Sequence, residues 1–587
     1  MILSQTSPRR KGTALRATFV LAGVVLALLR VPSLAQPAGA DQALYTYVGR
    51  TILLGGQPYL DAWDQKPPGV HFLYAGLWAL WPHASVIAAA DLVTALAVAA
   101  LLVALGRRLT ERAGAGEAAA LVFLAFGNPA FTRLGGVRVR GQSEVFIALF
   151  AAGALLLAAR GMGIGAPAAA RARIAARPLL GAGVMLGLAA VFKYNAVLHA
   201  APVAFLVGCA VWQHARRLPA GTAHGAEPAV AAADAADGAR ALLWIGAGAA
   251  VPIATMVAHF AWHGGLRDLY LATVTYNVEY SGETYGSSWA FVRYLLTFPV
   301  WHARVDSLWM LGGGGCALLL WAGFNSPRLW TAPVWVAAAC LAIAVNGSRG
   351  LPQYFLQAGP GLALAAGLAA AWAWARLGRA GRAALLIVAA VAVWRVSDPP
   401  RLAAWVHYDW QGFSGSLDRE RYLARFGRVD SGDKYSALAV HRLAEYLRAH
   451  SRPDETVYVF GFSPWAYVGA ERTSASRFFW SRPVIVGFAA GRPGYGVEGL
   501  HEDLQASRPR LVVLQRRDWD PVDPNSDEFF MRQPILRTWL QARYVHTGDL
   551  HNFEIWTRAD AQAGAPVDRG GTARAMRADG RSRTDHE

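Results

Sequence analysis

Charge is scarce in this chain: only 16% of its 587 residues are Asp, Glu, Lys or Arg, while 54% are hydrophobic. So little charge over this length excludes an ordinary soluble multidomain protein and points to a chain that crosses a membrane repeatedly. Cysteine is nearly absent. Cys209, Cys316 and Cys340 each sit inside an apolar run, where a thiol is a small packing residue, so no disulfide framework and no metal site is read from them. No P-loop, nucleophile elbow or zincin motif occurs. Without a phosphate-cradling glycine loop, a soluble nucleotide is not the expected energy source, and no cofactor is expected. The net charge of +17 does not indicate nucleic acid, because the arginines gather at the ends of apolar runs rather than on one soluble face.

What the chain has is long apolar text. Stretches of spanning length recur at about 16–34, 84–106, 115–131, 143–160, 179–193, 196–213, 241–262, 301–322, 330–345, 355–375 and 381–397. These predict about eleven transmembrane helices. The first follows Arg9, Arg10, Lys11 and Arg16. It is longer than a signal-peptide core and is read as a retained helix despite the small residues at 35–40. With the N-terminus in the cytoplasm, the inner segments hold Arg107, Arg108 and Arg112; Arg160, Arg171, Arg173 and Arg177; Arg216 and Arg217; Arg328; and Arg376, Arg379 and Arg382. The excess of basic residues inside fits this orientation, and an odd number of spans leaves the chain after about Pro399 outside.

The expected organisation is a transmembrane domain over 1–399 with a first outer loop at 35–83, an extracytoplasmic α/β domain over 400–558, and a disordered tail over 559–587. In the first loop, Leu44, Val48 and Ile52 recur at helical spacing, as on a helix lying at the membrane surface, and Gly55-Gly56 ends it. Pro67-Pro68 opens a second segment, rich in Trp and Tyr. A second long loop, 263–300, carries Tyr270, Tyr276, Tyr280 and Tyr285, and 218–239 is read as a flexible connector. Beyond Pro400, a helical pattern covers about 434–450. Apolar runs at 457–460, 484–488 and 511–514 read as buried strands, and 543–547 with 553–557 as a hairpin. The tail from Ala559 has almost no large apolar residue.

Acids at a membrane face are costly, so Asp41 is the first candidate. Two compatible readings stand: an N-cap for the helix that follows, or a general base taking a proton from an acceptor hydroxyl. Lys66, 25 positions on, reads either as an interfacial lysine or as a point charge on a departing phosphate. Arg133, Arg138 and Arg140 stand in a short outer loop against the charge rule, there to bind lipid headgroups or a lipid phosphate. Glu144 reads as a dipole-complementing residue of the next helix or as a second acid in a cavity. Lys193, at the outer end of a span, and Arg349 read either as snorkelling residues or as facing the cavity, to which Asp64 and Tyr354 are also assigned. His259 and His263 have no third ligand nearby and are read as interfacial.

The segments Asp41–Tyr45, Gly55–Tyr59 and Asp64-Gln65-Lys66-Pro67-Pro68-Gly69 resemble the first outer loop of the GT-C membrane glycosyltransferases, family-39 branch. That branch includes protein O-mannosyltransferases and lipid A aminoarabinose transferases. Arg138–Glu144 is similar to that family's second outer loop, and Gly187–Lys193, Gln353–Pro360, Asp454–Trp465 and Ala475-Ser476-Arg477-Phe478 are similar to further parts of it. Gln42, Glu144 and Gln353 stand where many relatives carry Glu, Asp and His. The resemblance implies a sugar donor built on a polyprenyl phosphate, a hydroxyl acceptor in a cell-envelope lipid, glycan or protein, and inversion in a single displacement on the outer face of a bacterial inner membrane. On it, Asp41 is the base, and Lys66 with Arg138 and Arg140 holds the donor phosphate. A transporter or flippase of lipid-linked glycans, or a polymerase or ligase of surface polysaccharide, is the competing expectation. A transporter, however, tends to gather acids or broken helices near the bilayer midplane, often in a repeat. Here the polar residues collect at one face.

Overall fold

The computed structural model describes residues 8–128, 136–165, 174–215, 227–282, 284–427 and 434–561. The chain divides into two compact units. The first is Met1–His441 with Ser463–Val468; the second is Arg442–Phe462 with Gly469–Glu587. The expected boundary at 399/400 falls inside the first unit.

The first unit is helical. Each of the eleven apolar stretches contains helix, but they differ in length. Seven helices among the described residues are long and apolar enough to cross a membrane, and an eighth crossing results if the bent pair Arg379–Val396 and Pro399–Ser414 counts as one. The expected spans at 115–131, 179–193 and 301–322 are shorter apolar helices, Ala115–Phe126, Ala176–Phe192 and Ser307–Ala322. The helices are rich in Ala and Gly, which lets backbones approach where lipid offers no hydrophobic drive. Helix Ala176–Phe192 shows this against Glu227–Trp262. A Cβ at Gly183 would strike the Ile245 carbonyl, and one at Gly248 would strike that of Leu180.

Three expectations change here. The first-loop helix, Ala40–Leu53, is not a surface helix: Gln42 through Gly49 are all buried. Its end at Gly55 is as read, with φ 92°. The loop 263–300 is largely helical, with Leu266–Tyr270, a π-turn at Leu271–Thr275, Tyr276–Gly282 and Ser288–Val305. Ser287 caps the last of these by accepting from Ala290 N at 3.1 Å. Of the connector 218–239, residues 218–226 lie outside the described residues, and 227–239 begins a long helix.

The second unit holds a five-stranded sheet in the order β2-β1-β3-β5-β4, with β1 Thr456–Phe460, β2 Thr473–Ser474, β3 Leu511–Gln515, β4 Tyr544–Leu550 and β5 Phe553–Arg558. β1 pairs in parallel with β2 and with β3 (Val457 opposite Leu511), while β5 runs antiparallel to β3 and to β4. β3 is buried throughout, as a continuous apolar run should be. Of the run at 484–488, expected as a strand, Val484 and Ile485 belong instead to a short helix, Arg482–Ile485, and 486–488 follow it as turn. Pro483 lacks the N–H a ladder needs but suits a helix's first turn. Of the tail, only 559–561 lies among the described residues.

Candidate active site

The site begins at the N-terminus of helix Ala40–Leu53. Gly39, not Asp41, is the N-cap, and no side chain caps the helix. Asp41 stands in the first turn, where the helix dipole favours a carboxylate. Two amides hold it. Gln142 Nε2 donates to Asp41 Oδ2 at 3.1 Å and Gln353 Nε2 donates to the same oxygen at 3.2 Å. The Gln142 amide is itself oriented, since its Oε1 accepts from Tyr45 OH at 3.0 Å. No group among the described residues bonds Oδ1, so that oxygen is the one left to meet a reactant.

The segment carrying Gln142 is fixed by backbone contacts. Gln42 Nε2 donates to the carbonyls of Val137 and Arg140 at 2.7 and 2.5 Å. Tyr74 OH donates to the Gly141 carbonyl at 2.9 Å, and Gly141 N–H donates to Asp91 at 3.2 Å. Gly141 is at φ 56°, and a Cβ there would lie 2.8 Å from both Tyr74 OH and Ile87 Cγ2.

Lys66 lies on the turn that follows Gly55-Gly56. Tyr59, buried and at a left-handed φ of 70°, donates its hydroxyl to the Lys66 carbonyl at 2.7 Å. Asn277 donates to the Gln65 carbonyl at 2.7 Å. Asp64 Oδ2 pairs with His71 Nε2 at 2.8 Å, both fully buried, which ties the turn to helix Gly69–Leu80. The backbone at Lys66 is thus held from three sides. Its ammonium makes no hydrogen bond or ion pair among the described residues. Burial pushes the Lys66 pKa down, but Glu144, Asp41 and Asp64 together outweigh it and leave it above the ordinary value. At Asp41 burial also dominates. It raises the carboxyl above the usual range, against the opposing pull of Lys66 and the Gln142 amide. A carboxylate made more basic by burial can accept a proton, and a cation within its electrostatic reach with no hydrogen-bond partner among the described residues can receive an anion.

The remaining candidates form a chain of contacts. Lys193 Nζ pairs with Glu144 Oε1 at 2.6 Å, both buried, and stands 4.3 Å over the ring of Tyr354. Tyr354 is hydrogen-bonded to Tyr280, and the Arg349 guanidinium lies 3.7 Å over the Tyr280 ring. Asp41 lies within electrostatic reach of Lys66, Asp64, Glu144, Lys193 and Tyr354. Arg140 does not join them. It is 4% exposed and donates Nη1 to the Ser33 carbonyl at 2.8 Å, in a second cluster with the Arg30–Asp91 pair and Asp409. Asp409 accepts from Gln36 at 2.6 Å and Tyr422 at 2.8 Å. Arg133 and the side chain of Arg138 lie outside the described residues. His259 Nε2 donates to Gln57 Oε1 at 3.0 Å. Among the described residues no group of three or more His, Cys, Asp or Glu could hold a metal ion.

No family model matches the chain, and no curated protein matches it. Solved structures do. ArnT from Cupriavidus metallidurans bound to undecaprenyl phosphate aligns with 94% of this chain and 100% of its own, at 16% identity and a TM-score of 0.55. The apo state of ArnT gives 94%, 99%, 14% and 0.54. AglB of Archaeoglobus fulgidus, with an inhibitory peptide and dolichol phosphate, gives 94%, 75%, 14% and 0.47. The chain therefore has the membrane fold seen in ArnT, and the likeness runs that protein's whole length.

Reading the sequence missed Gln142, Tyr45 and Tyr280. Gln142 lies inside the Arg138–Glu144 text already noted, but an amide between two arginines and an acid carries no charge signal, and its role exists only because the fold brings it back to Asp41.

Proposed function

We propose that this protein is an inverting glycosyltransferase that moves a sugar from a polyprenyl-phosphate donor to a hydroxyl acceptor. The observation that carries this reading is the Asp41–Lys66 arrangement. One carboxylate is held by two amides on a single oxygen, and within electrostatic reach of it a lysine ammonium on a braced turn has no partner among the described residues. The fold it shares with ArnT, whose structure holds undecaprenyl phosphate, supports the donor class.

In the reaction, Asp41 Oδ1 takes the proton of the acceptor hydroxyl as its oxygen attacks the anomeric carbon. The bond from that carbon to the phosphate oxygen breaks, and the electron pair leaves with the polyprenyl phosphate. Lys66 meets the charge that develops there. Attack and departure occur on opposite faces, so configuration inverts and no covalent intermediate forms. Glu144 and Lys193 neutralise each other and shape the cavity instead of reacting. The arginine distribution supports placing this site on the non-cytoplasmic side of the cell membrane.

The test uses purified protein in detergent with a polyprenyl-phosphate sugar and an alcohol acceptor, following release of polyprenyl phosphate by mass spectrometry. Asp41→Asn should lose at least about a hundredfold in rate, the usual range for a general base, while remaining folded. Undiminished transfer in that variant would remove the base assignment. Consumption of no donor by the parent protein would favour a transporter.

A further inference from the structure

The C-terminal end of helix Glu227–Trp262 carries two imidazoles that the Asp41 site does not use. His259 stands in the last turn and His263 one residue past the end. Helical spacing persists there, since His263 N–H donates to the His259 carbonyl at 3.2 Å. Residues four apart lie on one face of a helix. The two rings accordingly meet, with centroids 4.4 Å apart and planes tilted by 41°. His263 is exposed and His259 half-buried.

Each ring has one proton already placed. His259 Nε2 faces Gln57 Oε1 at 3.0 Å, and His263 Nδ1 faces the His259 carbonyl at 2.8 Å. Both acceptors are carbonyl oxygens, which cannot donate, so these two nitrogens carry the N–H. In a neutral imidazole the other nitrogen is then a bare acceptor. Those nitrogens are His259 Nδ1 and His263 Nε2, and neither has a hydrogen-bond partner among the described residues. Histidines that hold a metal are set in this way, with the far N–H tied to a fixed oxygen and the lone pair left for the ion. The helix end adds to it, because its dipole is negative there and favours a cation.

The ring separation selects the ion. A metal–nitrogen bond of about 2.0 Å puts the ion about 3.2 Å from each ring centroid, so centroids 4.4 Å apart subtend about 90° at it. A tetrahedral ion wants about 109° between ligands, and a tetragonal one about 90°. Cu²⁺ takes tetragonal nitrogen sites and stands highest in the affinity order for such ligands. We propose that His259 and His263 bind one Cu²⁺ ion through Nδ1 and Nε2, in adjacent equatorial positions, with water in the others. The ion also fixes the His259 ring against Gln57. Gln57 belongs to the stretch that continues to Lys66, where its N–H donates to Asp61 at 2.7 Å and Tyr59 donates to the Lys66 carbonyl. The proposal stands whatever chemistry Asp41 performs, because it is read by metal binding.

The full-length protein in detergent, free of any affinity tag, is titrated with Cu²⁺, and electron spin echo envelope modulation counts the imidazoles on the ion. The first equivalent should show two. His263→Ala should leave at most one imidazole on the ion and weaken binding about tenfold or more. His263 is exposed, so this variant keeps the fold, and His259→Ala should give the same spectrum. Mg²⁺ and Ca²⁺, which take oxygen ligands, should not displace the ion. Absence of a two-imidazole centre in the parent protein, its survival in His263→Ala, or its displacement by Mg²⁺ would each overturn the proposal.

Discussion

The Glu144–Lys193 pair offers a quantitative test of how the cavity is held together. Both side chains are buried, 1% and 10% exposed, with Oε1 and Nζ 2.6 Å apart. Breaking a buried pair by removing one partner typically costs about 3–5 kcal/mol, because the other charge stays stranded. Each single variant keeps a partial rescue. In Lys193→Met, Glu144 remains in the first turn of helix Ser143–Gly161, where the dipole returns about 0.3–1 kcal/mol. In Glu144→Gln, Lys193 remains 4.3 Å over Tyr354, a desolvated cation–π contact of about 2 kcal/mol. Each single variant should therefore lose stability towards the lower end of the range, about 3 kcal/mol. The double variant Glu144→Gln, Lys193→Met strands no charge and should lose far less than the sum, with a coupling of about 2 kcal/mol or more. Equilibrium unfolding in mixed detergent, followed by helical circular dichroism, measures all three. Additive losses would show that the pair is not electrostatically closed and that the cavity wall has been misread.

The amide relay to Asp41 makes a kinetic prediction: Gln142→Leu should lower kcat about tenfold or more with the fold intact, while Tyr45→Phe, which removes only the support for Gln142, should cost less. Lys66 lowers the Asp41 pKa, so Lys66→Met should move the acid limb of the pH–rate profile to higher pH as well as reduce the rate; an unmoved limb would separate the two residues. In the second unit, burial raises Asp518 from 3.8 to about 7, against the bonds from Ser526. A folded-state value above the unfolded one means no penalty below pH 3.8, a penalty growing from there to about pH 7, and a constant one above. Asp518→Asn should therefore stabilise this unit at pH 8 by a few kcal/mol and do nothing at pH 3.5. Hydrogen exchange of β3 at the two pH values reads the difference.

The membrane class was legible because apolar runs record their own length, and the first-loop motif was legible because Asp41, Lys66 and the Pro-Pro turn lie close together in sequence. The parts that failed share a cause. Leu44 and Val48 gave the right periodicity for a helix, but periodicity does not say whether a face meets lipid or protein, and here both are buried within the protein. Arginine in a short outer loop against the charge rule suggested phosphate at Arg140, yet the same surplus charge is absorbed internally by Ser33 and the Asp91–Asp409 cluster. Pairing of Glu144 with Lys193 spans 49 positions, and Gln353 reaches Asp41 across 312. Nothing local in the text announces either.

The close quarters around Gly141 have a consequence for how this protein tolerates change. Its α-carbon has room for hydrogen alone, wedged against a tyrosine hydroxyl and an isoleucine methyl, one residue before the amide that steers the carboxylate. A single added methyl would push on the neighbouring peptide and swing that amide off its target without touching any reacting atom. Orientation of the acid is thus inherited from backbone shape, and a defect in turnover can originate at a residue with no side chain to contribute.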